Sequence, residues 1–136
     1  MKIVTCLNFN GDCGEAFRFY EQCLRGEIVA MLTYGDTPAG DHIPAEWRDR
    51  IMHARLRIGD AELMGADSPP DSHDTPRGFA VSLHVVEPTE ADRIFGRLAE
   101  GGTVQMPIAG AFWASRFGML TDRFGTPWII NCEKAS

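Results

Sequence analysis

Residues 3–9 are rich in strand formers and read as a β-strand. The pattern then changes period: Ala16, Tyr20, Cys23 and Leu24 recur at helical spacing, and Phe17 and Phe19 broaden the stripe. Asp12-Cys13-Gly14-Glu15 places an N-cap residue ahead of that stripe and a carboxylate three positions on, close to a capping box. Gly26, after Arg25, supplies the helix stop. Three strands follow, over 28–34, 51–58 and 61–66, and Gly59-Asp60 joins the last two as a hairpin turn.

The same order then returns. Residues 80–86 read as a strand. Thr89 with Asp92 caps a helix whose apolar stripe is Ile94, Phe95 and Leu98, and Gly101-Gly102 ends it. Strands follow over 103–108, 115–120 and 127–132. The two caps lie 77 residues apart, and the two stop glycines, Gly26 and Gly102, lie 76 apart. A period this long marks a duplicated module, not a solenoid array. The expectation is an α+β chain of two βαβββ modules, 1–66 and 79–136, joined by a linker over 67–78 that carries Pro69, Pro70 and Pro76. One stretch breaks the symmetry. Residues 35–50 are long for a connection and hold Pro38, His42, Pro44 and Trp47, the pattern of a lid, a binding loop or a disordered segment. His42 and His73 sit in polar loops and are expected to be exposed.

Composition narrows the partners. The 136 residues suit one domain of ordinary size, and the formal net charge of −6 disfavours nucleic acid and anionic membranes, which need a basic footprint. No apolar run approaches a membrane span, and the N-terminus lacks a signal-peptide pattern. Cys6, Cys13, Cys23 and Cys132 have no metal or redox spacing and read as reduced thiols of a cytoplasmic protein.

The last quarter of the chain concentrates aromatic surface beside turn glycines: Phe112-Trp113, Phe117-Gly118, then Phe124-Gly125 and Trp128. Phe112, Trp113, Phe117 and Trp128 suit a stacking wall for a planar or apolar ligand, with Arg116 meeting an anionic group, and Trp113 follows the small-residue turn Ala109-Gly110-Ala111. Core or dimer-interface packing is the alternative for these aromatics, and Trp128, between Pro127 and an apolar run, reads as core. Asp122–Gly125 reads as a hairpin turn.

The motifs resemble the PhnB-like group of the vicinal oxygen chelate superfamily, which includes glyoxalase I, fosfomycin-resistance enzymes, extradiol dioxygenases and bleomycin-binding proteins. The matching residues are Leu7-x-Phe9-x-Gly11 leading to Glu15-Ala16 and Phe19-Tyr20; His53-Ala54-x-Leu56-x-Ile58-Gly59; Met64-x-x-Asp67; Phe112-Trp113 with Phe117-Gly118; and, most specific, Thr121-Asp122-x-Phe124-Gly125-x-x-Trp128-x-x-Asn131. The resemblance implies curved mixed sheets around a cavity and a homodimer. Relatives are often labelled demethylubiquinone methyltransferases. The chain nevertheless lacks a glycine-rich loop after a strand for the nucleotide part of a methyl donor.

Metal enzymes of that superfamily place a ligand, usually His or Glu, on the first and last strand of each half. The motif alignment puts those positions at Thr5, Ser82, Ile129 and the 62–64 region. Thr5 and Ile129 are poor ligands for hard or borderline divalent ions, the third position holds Ser, and the register of the fourth is open, so the usual metal site is expected to be absent, with no metal and no cofactor. Strand alternation offers other chemistry. Met52, Ala54, Leu56 and Ile58 share one face of their strand, with His53, Arg55 and Arg57 on the other. Val81, Leu83 and Val85 should face the helix, leaving Ser82 and His84 toward the hollow, and Asn131 shares a face with Ile129. His53, Glu62 and His84 are therefore the candidate catalytic residues, as a His–carboxylate base or an atypical metal site. Their plain alternative is hydrogen-bonded cavity or interface residues. Phe112, Trp113, Arg116 and Asn131 are the candidate ligand-binding residues. The expected function is binding of a small organic molecule. The alternatives are a lyase, isomerase or dioxygenase, or an aromatic face used only for dimerisation.

Overall fold

The computed structural model describes residues 1–69 and 72–134. The chain divides into two compact units, Met1–Asp74 and Thr75–Ser136. Unit 1 runs β1 (Thr5–Phe9), α1 (Cys13–Leu24), β2 (Glu27–Thr33), β3 (Ile51–Ile58) and β4 (Ala61–Asp67). Unit 2 runs β5 (Val81–Val85), α2 (Pro88–Ala99), β6 (Thr103–Ala109), β7 (Ala114–Thr121) and β8 (Pro127–Glu133). The sheets have the orders β1-β4-β3-β2 and β5-β8-β7-β6. In each, the first strand pairs parallel with the last and the other pairings are antiparallel. Both are open, mixed sheets of an α+β fold, and order and direction repeat as the duplicated pattern predicts.

Each helix buries its stripe on one face of its own sheet. In α1 the buried residues include Ala16, Phe17, Tyr20 and Cys23; in α2 they are Ala91, Ile94, Phe95 and Leu98. A fully buried Phe17 or Tyr20 stabilises by about 1.5–3 kcal/mol through area removed from water. The close approach of helix to sheet depends on one strand glycine in each unit, Gly65 on β4 and Gly118 on β7. A Cβ on Gly65 would lie 2.5 Å from the Phe17 ring, and one on Gly118 would lie 2.7 Å from the Phe95 ring. The hairpin between β3 and β4 is the expected two-residue turn, with Gly59 at φ 58° and Ile58 paired to Ala61. At the β7–β8 turn, Asp122 Oδ1 accepts the N–H groups of Phe124 and Thr126, while Oδ2 accepts the Trp128 indole N–H at 2.8 Å. Trp128 is 1% exposed and belongs to the core.

The helix ends differ from the sequence reading. Asp12 occupies the N-cap of α1, but its side chain makes no capping bond. That task falls to Asp67, 1% exposed, whose Oδ1 accepts the N–H groups of Gly11 (2.8 Å) and Cys13 (3.0 Å) and whose Oδ2 accepts that of Ile51 (2.8 Å). A carboxylate at a helix N-terminus also gains from the helix dipole. Asp67 is thus the last residue of β4, not the start of the linker; Pro70 and Asp71 of that linker lie outside the described residues. The left-handed residue ending α1 is Arg25 (φ 52°), one position before the expected glycine. In α2 the N-cap is Glu87 with Pro88 as first helical residue, so neither Thr89 nor Asp92 caps it; Pro already lacks the N–H that a cap would satisfy.

The long stretch after β2 folds into three short 3-10 turns, Tyr34–Asp36, Pro38–His42 and Ala45–Trp47. Tyr34 and Trp47 are buried and meet edge to face at 6.0 Å, and the Tyr34 hydroxyl donates to the Asp67 carbonyl at 2.8 Å. This segment is fastened to the same point that caps α1. His42 is exposed, as expected, whereas His73 is half-buried.

Candidate functional site

Strand alternation leaves each sheet with a face turned away from its helix. In unit 2 that face carries a continuous row of side chains. Phe117 on β7 lies opposite Asn131 on β8, and Asn131 lies opposite His84 on β5. The Trp113 ring packs edge-to-face on Phe117 at 5.3 Å and on Phe112 at 4.8 Å. Asn131 Nδ2 approaches His84 Nδ1 at 3.3 Å, and Ser82 Oγ approaches His84 Nε2 at 3.0 Å. An amide N–H can only donate, so Nδ1 accepts, Nε2 carries the ring proton, and Ser82 Oγ receives it. The Ser82 hydroxyl hydrogen is then free to reach an acceptor on a ligand. A parallel row on the same face is mostly apolar: Met106, Met119, Ile129 and Ser82. The surface is open, with Phe112 85% and Trp113 51% exposed. A cavity of about 530 Å³ begins at His84 and runs past Val86, Glu87, Ser115, Glu133 and Lys134.

Of the residues singled out from sequence, Phe112, Trp113, Asn131 and His84 therefore come together. Arg116 does not join them. It alternates with Phe117, and its Nε pairs with Asp92 of α2 at 3.1 Å, on the helix side of the sheet. Sequence reading put Ser82 beside His84 on this face and Phe117 among the stacking aromatics, but took neither as a site residue; their place in the row comes from strand pairing.

Unit 1 presents a different surface. Glu62 Oε2 meets Lys2 Nζ at 3.1 Å and Arg55 Nε at 3.3 Å. The hydrogen bond from Lys2 holds the Glu62 carboxyl below the usual carboxylate range, with the charges of Arg55, Lys2 and Arg57 adding to it against a smaller burial effect. A carboxylate held this way is a weak base. Glu62 lies opposite Arg57, whereas His53 is at the other end of β3, roughly 13 Å along the strand from Arg57 at the usual rise. His53 and Glu62 do not form a pair.

The metal positions implied by the resemblance shift by one residue in unit 1. Thr5 alternates with Leu7 and Phe9, which are buried under α1, so the β1 residue on the opposite face is Cys6. β1 and β5 are equivalent with Thr5 matching Val81, and Cys6 opposite Met64 repeats as Ser82 opposite Ile129. A thiol, a thioether, a hydroxyl and an alkyl chain do not make the His and carboxylate set that hard or borderline divalent ions require. Burial moreover pushes the Cys6 thiol up, away from the thiolate that metals bind. The residues do not fit the superfamily's metal. Among the described residues, no three His, Cys, Asp or Glu side chains gather into a metal-holding group. No described helix is long and apolar enough to cross a membrane.

Comparison with known proteins agrees with the architecture. The sequence model of the family described as 3-demethylubiquinone-9 3-methyltransferase matches residues 1–131. The crystal structure of protein PA1353 from Pseudomonas aeruginosa is 49% identical, covers 99% of both chains and superposes with a TM-score of 0.91. A PhnB protein from Bacillus cereus is 25% identical over 97% of this chain and 99% of its own, with a TM-score of 0.80. At the level of fold alone, a glyoxylase/bleomycin resistance protein/dioxygenase domain from Frankia gives a TM-score of 0.69 at 15% identity over 98% of each chain. The family model, which spans nearly the whole chain, places it in the PhnB-like family, the one described as 3-demethylubiquinone-9 3-methyltransferase, and its duplicated βαβββ order is the fold shared with the glyoxylase/bleomycin resistance protein/dioxygenase domain.

Proposed function

We propose that the chain binds a small organic molecule on the helix-free face of unit 2, without the four-ligand metal centre of its metal-dependent relatives. The observation that carries this reading is the row Trp113–Phe117–Asn131–His84–Ser82, aromatic at one end and hydrogen-bonding at the other. Stacking on Trp113 and Phe117 holds a flat apolar body. The Ser82 hydroxyl, oriented by His84 and Asn131, meets an acceptor oxygen. Binding is favoured over base catalysis because both His84 ring nitrogens are engaged, and because Glu62 is tied to cations in unit 1. The protein acts in the cytoplasm as a homodimer on this reading.

Acetylnaphthalene, a flat aryl ketone, is a suitable probe. It should quench tryptophan fluorescence in the parent chain. Trp113→Ala should weaken its binding by roughly 1–3 kcal/mol, the worth of a lost aromatic contact. Ser82→Ala should weaken acetylnaphthalene but not naphthalene, which has no acceptor. Equal binding of the ketone by parent and Trp113→Ala would overturn the reading. So would stoichiometric zinc, nickel, iron or manganese that survives dialysis of protein purified without chelator. A melting temperature that depends on protein concentration in the parent, and loses that dependence in Trp113→Ala, would assign the aromatic hairpin to the dimer interface.

A further inference from the structure

The cations of unit 1 stand apart from that reading. The chain carries a formal net charge of −6, yet Lys2, Arg55 and Arg57 gather around one carboxylate, Glu62. Lys2 and Arg55 share a single oxygen of it, and Arg57, exposed, sits directly opposite in register and adds to its field. Glu27 on β2 lies opposite Arg57 on its other side, so three positive charges face two negative ones, a surplus of one on this part of the face.

The geometry of Arg55 says how that surplus is presented. Glu62 engages Nε, and the side chain is 42% exposed. The contact is an ion pair without hydrogen-bond geometry, and it draws the planar guanidinium toward Glu62 from its Nε side. The edge formed by Nη1 and Nη2 is the one that pairs bidentately with a carboxylate or phosphate. Glu62 is only 13% exposed in its side chain and is kept ionised by its neighbours, so it is a fixed support for the arginine. The adjoining row on the same face is apolar: Ala30 and Met64 flank Arg55, and Cys6 lies beyond Met64.

We propose that this face of unit 1 is an oxyanion site in which Arg55, oriented by Glu62, and Arg57 bind a carboxylate or phosphate group. The apolar body attached to that group rests on Met64 and Ala30. Arg55 and Arg57 are binding residues here and Glu62 is a positioning residue. The site does not depend on a ligand in unit 2.

The test is a titration of the parent chain at low salt with hexanoate and, separately, inorganic phosphate, read by NMR at the arginine Nε–H groups. The expected result is saturable shifts at Arg55 and Arg57, suppressed by added sodium chloride. Arg55→Gln and Arg57→Gln should each weaken binding about tenfold or more, the usual worth of a charge-assisted hydrogen bond. Arg77→Gln, at an exposed arginine elsewhere, should leave affinity unchanged, and so should Trp113→Ala. Hexanoate bound more tightly than phosphate identifies an organic acid, and the reverse identifies a phosphate. Shifts of equal size at arginines throughout the chain, or unchanged affinity in both Arg55→Gln and Arg57→Gln, would overturn the proposal. Loss of binding in Trp113→Ala would overturn it too, by moving the anion to unit 2.

Discussion

Asp67→Ala should be among the most damaging single substitutions in the chain, although Asp67 touches neither candidate site. The side chain is 1% exposed and its two oxygens accept three backbone N–H groups, from Gly11, Cys13 and Ile51. These donors belong to three places: the turn before α1, the first residue of α1, and the first residue of β3. Removing the carboxylate strands all three, two of them in buried surroundings. An unsatisfied buried donor costs about 1–3 kcal/mol, and water entering the vacated space recovers part of it. The net loss should be about 3–5 kcal/mol. Asp67→Asn is the sharper comparison. Its carbonyl oxygen keeps the bonds from Gly11 and Cys13, while its amide opposes the Ile51 N–H, so one of three bonds is lost. That variant should lose about 1–3 kcal/mol, less than alanine. Urea unfolding followed by circular dichroism reads both through the midpoint, provided the slope stays constant. A loss below about 1 kcal/mol in Asp67→Ala, at unchanged slope, would refute the claim that one carboxylate ties these three segments together.

Other substitutions test the packing and the electrostatics separately. Gly65→Ala should destabilise by about 1–3 kcal/mol, since its Cβ would lie 2.5 Å from the fully buried Phe17 ring; thermal melting measures it. Trp128→Phe keeps the apolar body but removes the indole donor from Asp122 Oδ2, and should cost about 1.5–3 kcal/mol in the same assay. Lys2→Ala should let the Glu62 carboxyl rise toward its ordinary range, measured by carboxyl NMR. In the parent, the lowered folded-state value means that the stabilisation from this cluster is present above the ordinary carboxylate range and lost as pH falls through the lowered one. Among the thiols, Cys6 should react first with a thiol reagent, and faster as pH rises past its elevated range, while Cys13, buried and pushed far up, should stay unreactive until unfolding.

What the sequence revealed and what it hid follow from the range of the interactions involved. Strands, helices and the Gly59-Asp60 and Asp122–Gly125 turns depend on neighbours within a few residues, and these were legible to within one or two positions. The alternation of Val81, Ser82, Leu83 and His84 likewise gave the correct faces. Capping of α1 was misread because the capping group lies 54 residues from Cys13, whereas Asp12 only imitates the local motif. Thr5 was placed by the family motif and carried to Ser82 by the 77-residue spacing of the expected caps, whereas the strands repeat with Thr5 matching Val81, because α1 and α2 are capped differently. An error of one residue in a strand reverses every side chain. Arg116 was grouped with the aromatics by nearness in sequence; alternation along β7 separates it from Phe117. The row joining Phe117, Asn131 and His84 needs the pairing of three strands, so only its individual members were visible.

The two units share one fold but offer opposite chemistry on equivalent strands. Arg55 and Met64 in unit 1 and Met119 and Ile129 in unit 2 are paired residues on corresponding strands, yet one pair carries a charge and the other is apolar. On the helix side both units keep the same device, an aromatic from the helix seated on a strand glycine, Phe17 on Gly65 and Phe95 on Gly118. The constraint differs between the two sides for a physical reason. A helix-facing position must conserve volume and exclude unpaired polar atoms, so it tolerates little change. An open strand face pays no such penalty, because water satisfies whatever the side chain leaves unpaired. Duplication of a βαβββ unit therefore yields two scaffolds of the same stability logic and two surfaces free to differ, and the two sites proposed above use that freedom. If the faces carried no function, their side chains would drift toward scattered solvated residues. The aromatic hairpin at Phe112-Trp113, 85% and 51% exposed, is costly on a solvated surface.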